Sequence, residues 1–118
     1  MPNQEAIRDF FSAINKRDLD EMEGLLRLDA EFYFPKTDPL QGRDRILRFF
    51  KILFRQYPEL VFDVKDIIVQ GDRAAVHWIN RGTSRNKESY ENEGVTLLEW
   101  KDDGFRFMSD FFKDTEKF

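Results

Sequence analysis

The residue with the clearest chemical potential is Asp110, which lies within the apolar stretch FRFMSDFFKD near the C-terminus. A carboxylate among large apolar side chains is costly unless it is hydrogen-bonded, paired or turned toward water. Burial among aromatic rings would raise its pKa and equip it as a general base or acid near neutral pH. The alternatives are a carboxylate held by a hydrogen bond or a cation, and one exposed at a strand end.

The sequence gives less support for other kinds of reactive site. His77 is the only histidine, and because it alternates with Trp78, an inward Trp78 would turn it outward. A triad of Ser109, His77 and Asp110 lacks the G-x-S-x-G turn that would hold its nucleophile. One histidine and no cysteine argue against a zinc site, and no glycine-rich phosphate loop or dinucleotide motif is present. We therefore expect no metal and no cofactor.

Composition limits the class of protein. A chain of 118 residues suits one domain over residues 1–118. The net charge of −4 disfavours nucleic acid as a partner. The first residues lack the pattern of a signal peptide and there is no cysteine, so we expect a cytoplasmic protein. The most apolar stretch, ILRFFKILF, is interrupted by Arg48 and Lys51, which predicts no membrane span.

The hydrophobic period changes along the chain. Helical spacing predicts a helix over residues 3–16 with Asn3 as its N-cap, a short helix after Asp18 or Asp20 that buries Leu26, and a long helix over residues 42–58. AEFYFP reads as a strand and KTDPLQG as a loop. Alternation then predicts strands over 59–72, 73–84, 89–104 and 105–114. Helices followed by an antiparallel sheet indicate an α+β fold.

Several stretches carry a family resemblance: IRDFFSAINKRDLDEMEGLL, AEFYFPKTDPLQGRDRILRFF, VQGDRAAVHWINRGT, YENEGVTLLEWKDDG and SDFFKD. They resemble the nuclear-transport-factor-2-like superfamily, most closely SnoaL-like domains, which are relatives of ketosteroid isomerase. The resemblance covers nearly the whole chain. It implies a curved antiparallel sheet wrapped as a cone around three N-terminal helices, with a central apolar cavity. The fold hosts isomerases, cyclases, dehydratases, hydrolases and non-catalytic binders, so it does not fix an activity.

The isomerase mechanism can be compared position by position. Ketosteroid isomerases use a tyrosine on the first helix, a base after the first strand and a protonated aspartate on a later strand. The matching positions here are Phe10, Phe34 and Thr96. Phenylalanine can neither donate a hydrogen bond nor take a proton, so a standard ketosteroid isomerase is not expected. SnoaL-like cyclases use an acidic residue of the cavity wall as a base, and the resemblance gives that role to Asp110.

The resemblance also implies which side chains line the cavity. It turns Met108, Asp110 and Phe112 inward, with Thr96 as a polar group that orients a carbonyl and Asn92 beside it. The remaining strand and helix positions add apolar walls. The candidate ligand-binding residues are Phe10, Phe34, Phe50, Phe54, Trp78, Asn92, Leu98, Trp100, Met108 and Phe112.

Two functions remain open from the sequence. One is a cofactor-independent acid–base enzyme of the isomerase, cyclase or dehydratase type, acting on a small apolar or amphipathic carbonyl compound. The other is a non-catalytic ligand-binding or dimerisation module of the same fold. Many relatives dimerise through the outer sheet face, and here Val95 and Leu97, with Ile67 or Val69, could form an apolar patch on that face.

The third helix carries a further candidate surface. Its basic residues fall largely on one side, away from the apolar stripe. Such a side is most often solvated, and the alternative is a surface for acidic partners or anionic ligands. The residues concerned are Arg45, Arg48, Lys51 and Arg55.

Overall fold

The computed structural model describes residues 4–117, except for the side chain of Lys117. Its helices are α1 (Gln4–Lys16), α2 (Leu19–Leu25) and α3 (Arg43–Gln56). Its strands are β1 (Leu26–Tyr33), β2 (Leu40–Gln41), β3 (Val61–Gln70), β4 (Arg73–Thr83), β5 (Ser89–Lys101) and β6 (Gly104–Phe112), and a short 3₁₀ helix covers Thr115–Lys117. The predicted α+β class and order of elements are confirmed. The proposed cap Asn3 lies outside the described residues.

The strands form one curved, unclosed sheet in the order β2-β1-β6-β5-β4-β3. All described pairings are antiparallel except that of β1 with β6, which is parallel. β6 therefore lies between β1 and β5, and it forms the last hairpin of the chain with β5. This position places the strand that carries Asp110 near the middle of the sheet.

The helices cover the inner face of the sheet with apolar stripes. Ile7, Phe10, Phe11 and Ile14 recur at helical spacing in α1 and are all buried. α3 buries Ile46 and Phe50 in the same way. No helix in residues 4–117 has the length and apolar character needed to span a bilayer.

Two local predictions near β1 need correction. The segment predicted as a loop contains β2, because Leu40 and Gln41 pair with Phe32 and Glu31 of β1. Leu26, expected on the buried side of the second helix, instead begins β1 and pairs with Phe105 of β6. Both differences come from pairing between strands, with the neighbouring β1 in the first case and with the chain-distant β6 in the second, and local periodicity does not record such pairing.

A bulge in β3 changes which residues face outward. Val64 pairs with Trp78 and Asp66 pairs with His77, so Lys65 is an extra residue in the ladder. Beyond it Ile67 is buried whereas Ile68 is 64% exposed. The outer face therefore presents Ile68, and not the expected Ile67 or Val69, beside Val95 and Leu97.

Candidate functional site

The site is built on the β5–β6 hairpin. Its register places Thr96 directly opposite Asp110, with Leu98 opposite Met108 and Gly94 opposite Phe112. Thr96 is buried, and its hydroxyl donates a hydrogen bond to Oδ1 of Asp110 over 2.6 Å. The hairpin therefore brings the two candidate catalytic residues into direct contact.

Trp78 of β4 joins this pair from the next strand. Its indole Nε1 donates a hydrogen bond to Thr96 Oγ1 over 2.8 Å, and the side chain is fully buried. Trp78 lies opposite Gly94 in the β4–β5 ladder. We call these three side chains, Trp78, Thr96 and Asp110, the hydrogen-bond chain.

The surroundings of Asp110 favour its protonated form. Burial raises the pKa of the carboxyl group to about 7, although the hydrogen bond from Thr96 acts in the opposite direction. The residue keeps some exposed surface, so the shift arises from dense apolar packing around the carboxylate and not from complete enclosure. Its Oδ2 makes no hydrogen bond with the described residues. The carboxyl group can therefore change protonation state near neutral pH.

Aromatic rings form a continuous layer beside the carboxylate. Phe112 lies next along the inner face of β6, 5.0 Å from the Trp78 ring and 5.2 Å from the Phe34 ring, between centroids. Phe34 in turn lies 4.9 Å from Phe49 of α3. Sequence reasoning did not select Phe49, although it belongs to the helical apolar stripe that included Phe50.

Other predicted lining residues lie in two places. Leu98 and Met108 are buried near Asp110. Phe10 and Trp100 instead meet at Phe105, with ring centroids 5.5 and 4.9 Å from it, beyond the bulge that separates Glu99 from Trp100. The structure thus separates Phe10 and Trp100 from the carboxylate.

On α3, the rings of Phe50 and Phe54 lie 6.0 Å apart, and Phe50 stacks on Phe32. The guanidinium of Arg17 lies 5.1 Å from the centre of the Phe54 ring. Phe54 therefore joins the helix side of the aromatic core to the turn after α1.

Asn92 has structural partners. Its Nδ2 donates to the carbonyl oxygen of Asp114 over 2.8 Å, and its Oδ1 accepts from the backbone N–H groups of Asp114 and Glu93. This amide ties the segment after β6 to the sheet. Opposite it, Asn80 is buried and its Oδ1 has no hydrogen-bond partner among the described residues.

His77 faces the outer side of the sheet. Its Nε2 lies 2.6 Å from Glu93 Oε2, and Lys113 Nζ lies 3.4 Å from the other oxygen of Glu93. The hydrogen bond with His77, followed by the charge of Lys113, holds the pKa of Glu93 below its usual value. Among residues 4–117, no group of three or more acidic or histidine side chains could hold a metal ion.

The basic side of α3 forms one wall of an external groove of about 530 Å³. Arg48, Lys51 and Arg55 line it, but Asp20 and Glu23 of α2 line it too. The acidic groups weaken the attraction of the groove for an anion. The hydrogen-bond chain does not contribute to this groove.

A known protein family matches most of the chain. The family model described as "SnoaL-like domain" matches residues 7–107. This range includes Trp78 and Thr96 but ends before Asp110. No curated protein matches the chain.

Solved structures with the same fold are numerous. An NTF2-like protein of unknown function from Burkholderia pseudomallei superposes with a TM-score of 0.89 at 22% identity, covering 98% of this chain and 94% of that one. TerC, co-crystallised with polyporic acid, gives 0.87 at 23% identity with the same coverages of 98% and 94%. A candidate SnoaL-like polyketide cyclase from a Jannaschia species gives 0.84 at 19%, covering 92% and 83%. At these identities the likeness establishes the fold.

Proposed function

The chain belongs to the SnoaL-like domain family, and from that premise we propose that it binds a small apolar or amphipathic carbonyl compound and catalyses a cofactor-independent proton transfer. Asp110 is the proposed catalytic residue. The supporting observation is its partly exposed carboxyl group, with one oxygen held by Thr96 and a pKa raised to about 7 by burial. A base poised near the working pH is the most effective one for general-base catalysis.

The proposed step is removal of a proton from the carbon next to a carbonyl group. The C–H bond breaks, the proton goes to Oδ2 of Asp110, and the electron pair moves into an enolate. Return of the proton at the same or another carbon gives exchange or isomerisation, and attack by the enolate carbon on a second carbonyl gives cyclisation. Apolar surroundings favour the step because the carboxylate is less solvated there than in water.

A non-catalytic binding module is the alternative, and one observation favours it. The ring of Phe112 packs against those of Phe34 and Trp78 at centroid distances of 5.2 and 5.0 Å. A ligand that enters between the sheet and α3 would have to displace some of these contacts. In TerC the same fold was co-crystallised with polyporic acid, which supports small-molecule binding in either case.

Hydrogen exchange of an apolar ketone distinguishes the two functions. With 2-tetralone in D₂O, we expect the wild-type protein to accelerate deuterium incorporation at C1, measured by ¹H NMR. The rate should rise as the pH passes through about 7, because Asp110 must be ionised to take a proton. Asp110→Asn should abolish the acceleration.

The matched control is Asp63→Asn, which removes a carboxylate that pairs with Lys65 on the outer face and should leave exchange unchanged. Saturable binding of 2-tetralone without exchange would support the binding module. Equal exchange by the wild-type protein and Asp110→Asn would reject Asp110 as the base.

We also propose that the protein forms a homodimer through the outer sheet face. The outer apolar patch consists of Ile68, Val95, Leu97 and Phe111. Phe111 is 56% exposed and pairs with Val95 across the β5–β6 ladder. A large apolar side chain exposed at the centre of a sheet face is typical of an interface between two copies.

Sedimentation velocity tests the dimer. We expect the wild-type protein to sediment as a dimer and Phe111→Asp as a monomer, because a charge there would be buried without a partner. Ile52→Asp is the control, since Ile52 is equally exposed at 55% but lies on α3. A monomeric wild-type protein, or an unaffected Phe111→Asp dimer, would reject this interface.

A further inference from the structure

The direction of the hydrogen bonds in the chain of Trp78, Thr96 and Asp110 is fixed at one end. An indole N–H can only donate, so Thr96 Oγ1 must accept from Trp78. The hydroxyl has a single proton, and the oxygen 2.6 Å away is Oδ1 of Asp110. Thr96 therefore accepts on one side and donates on the other.

We propose that Trp78 is a positioning residue: its indole N–H orients the Thr96 hydroxyl toward Oδ1 of Asp110, so that only Oδ2 exchanges a proton with a bound ligand. This inference rests on the proposed function, because it assigns the reactive oxygen of that site. It gives Thr96 a different role from the one its sequence position suggests. Thr96 orients the carboxylate, and its proton is not available for a ligand carbonyl.

The structure holds the indole in this place from several sides. Gly94 lies beneath it, and a Cβ at that position would come within 2.7 Å of Cη2 of Trp78. The rings of Phe62 and Phe112 contact it edge to face at 4.9 and 5.0 Å. These contacts leave the N–H pointing at Thr96.

Phe62 is itself anchored. The side-chain amide of Asn15 in α1 donates to the carbonyl oxygen of Phe62 and accepts from its backbone N–H, both over 2.8 Å. A helix thus fixes the start of β3, and β3 fixes one edge of the indole. The indole orientation is determined by packing and not by Thr96 alone.

Loss of the indole N–H has a definite electrostatic consequence. Without it, the Thr96 hydroxyl can turn away from Oδ1, which removes support for the carboxylate. The lone pair of Thr96 Oγ1 that accepts from Trp78 also becomes free to accept a hydrogen bond from the neutral acid. Both changes favour the protonated form, so the pKa of Asp110 should rise. Among the described residues, Thr96 is the only polar side chain that acts on this carboxyl group.

The test replaces the N–H without changing the shape of the ring. We would incorporate 3-benzothienylalanine, which has sulfur in place of the indole N–H, at position 78 and follow the Asp110 carboxyl carbon by ¹³C NMR. The pKa of Asp110 should rise by about 0.5, less than the rise of about 1 expected for Thr96→Val, which removes the whole bond. Thr96→Ser keeps the hydroxyl and should stay close to wild type.

The same replacement at Trp100 is the matched control. That indole donates to the carbonyl oxygen of Asp102 over 3.1 Å, outside the hydrogen-bond chain, so the pKa of Asp110 should not move. His77 and Glu93 lie on the opposite face of the sheet. Repeating the titration with His77→Gln and with Glu93→Gln excludes the influence of each.

A second signature comes from the indole protons. The Nε1 proton of Trp78 should titrate with the same midpoint as Asp110 in the wild-type protein and lose that response in Thr96→Val. An unchanged pKa of Asp110 in the folded benzothienyl variant would overturn the inference. A wild-type pKa of Asp110 near 3.9 would instead reject the proposed function, while the direction of the change at Trp78 would still test the positioning role.

Discussion

Asp110→Asn should make the protein more stable at pH 8, by about 2 to 4 kcal/mol. The pKa of Asp110 is raised from 3.8 to about 7 in the folded protein. Between these values the unfolded chain is ionised while the folded protein holds a proton, so wild-type stability falls as the pH rises through this range. The complete difference corresponds to about 4 kcal/mol, and the partial exposure of the carboxyl group reduces it.

Urea unfolding at several pH values measures this effect. The variant should gain its advantage progressively between about pH 4 and 7 and show almost none below pH 4, where both side chains are neutral. Glu93→Gln provides a control of opposite sign, because the pKa of Glu93 is lowered and its contribution is present only at higher pH. If Asp110→Asn has a pH-independent effect, burial does not raise the pKa of Asp110.

Gly94→Ala should destabilise the protein by about 3 kcal/mol or more. Its Cβ would overlap the carbonyl oxygen of Phe111 and lie 2.7 Å from Cη2 of Trp78. The first contact is with backbone in the β6 ladder, and the second is with a fully buried ring, so neither neighbour can move cheaply. The substitution should also displace the indole N–H from Thr96.

Gly24→Ala is the control for this substitution. A Cβ at Gly24 meets nothing within 4 Å, and alanine within α2 should stabilise the helix by up to about 1 kcal/mol. Chemical denaturation of both variants gives the comparison. A loss of less than about 1 kcal/mol in Gly94→Ala would show that the sheet can separate at this point without strain.

Local periodicity was sufficient to predict most elements of this fold. The long helix predicted over residues 42–58 is observed as Arg43–Gln56, and alternation alone separated Asp110 from Ser109 and Phe111. These predictions succeed because each element buries one regular face. Alternation thus divided the last strand into two sides, and the family resemblance indicated which of them faces inward.

The contacts within the site depend on register, which the sequence does not display. Thr96 meets Asp110 because the turn after β5 includes Asp102 at a φ of 57° and a bulge at Arg106 follows it in β6. Trp78 reaches Thr96 only because the residue opposite it is Gly94. The bulge at Lys65 similarly exchanged Ile67 for Ile68 on the outer face. Bulges and turns that differ by a single residue from a regular ladder thus determine which side chains meet.

The placement of β6 between β1 and β5 has a consequence for how the chain folds during its synthesis. Within the described residues β1 pairs with β2 and β6 alone. The longer of these neighbours, β6, is missing until residue 112 has left the ribosome. Until then the edge of β1 that pairs with β6 has no partner strand. β3, β4 and β5, in contrast, can already form an antiparallel meander. Such distant pairing slows folding and leaves an open strand edge for chaperones or for aggregation. The strand that carries Asp110 therefore completes the sheet and the site in the same late step.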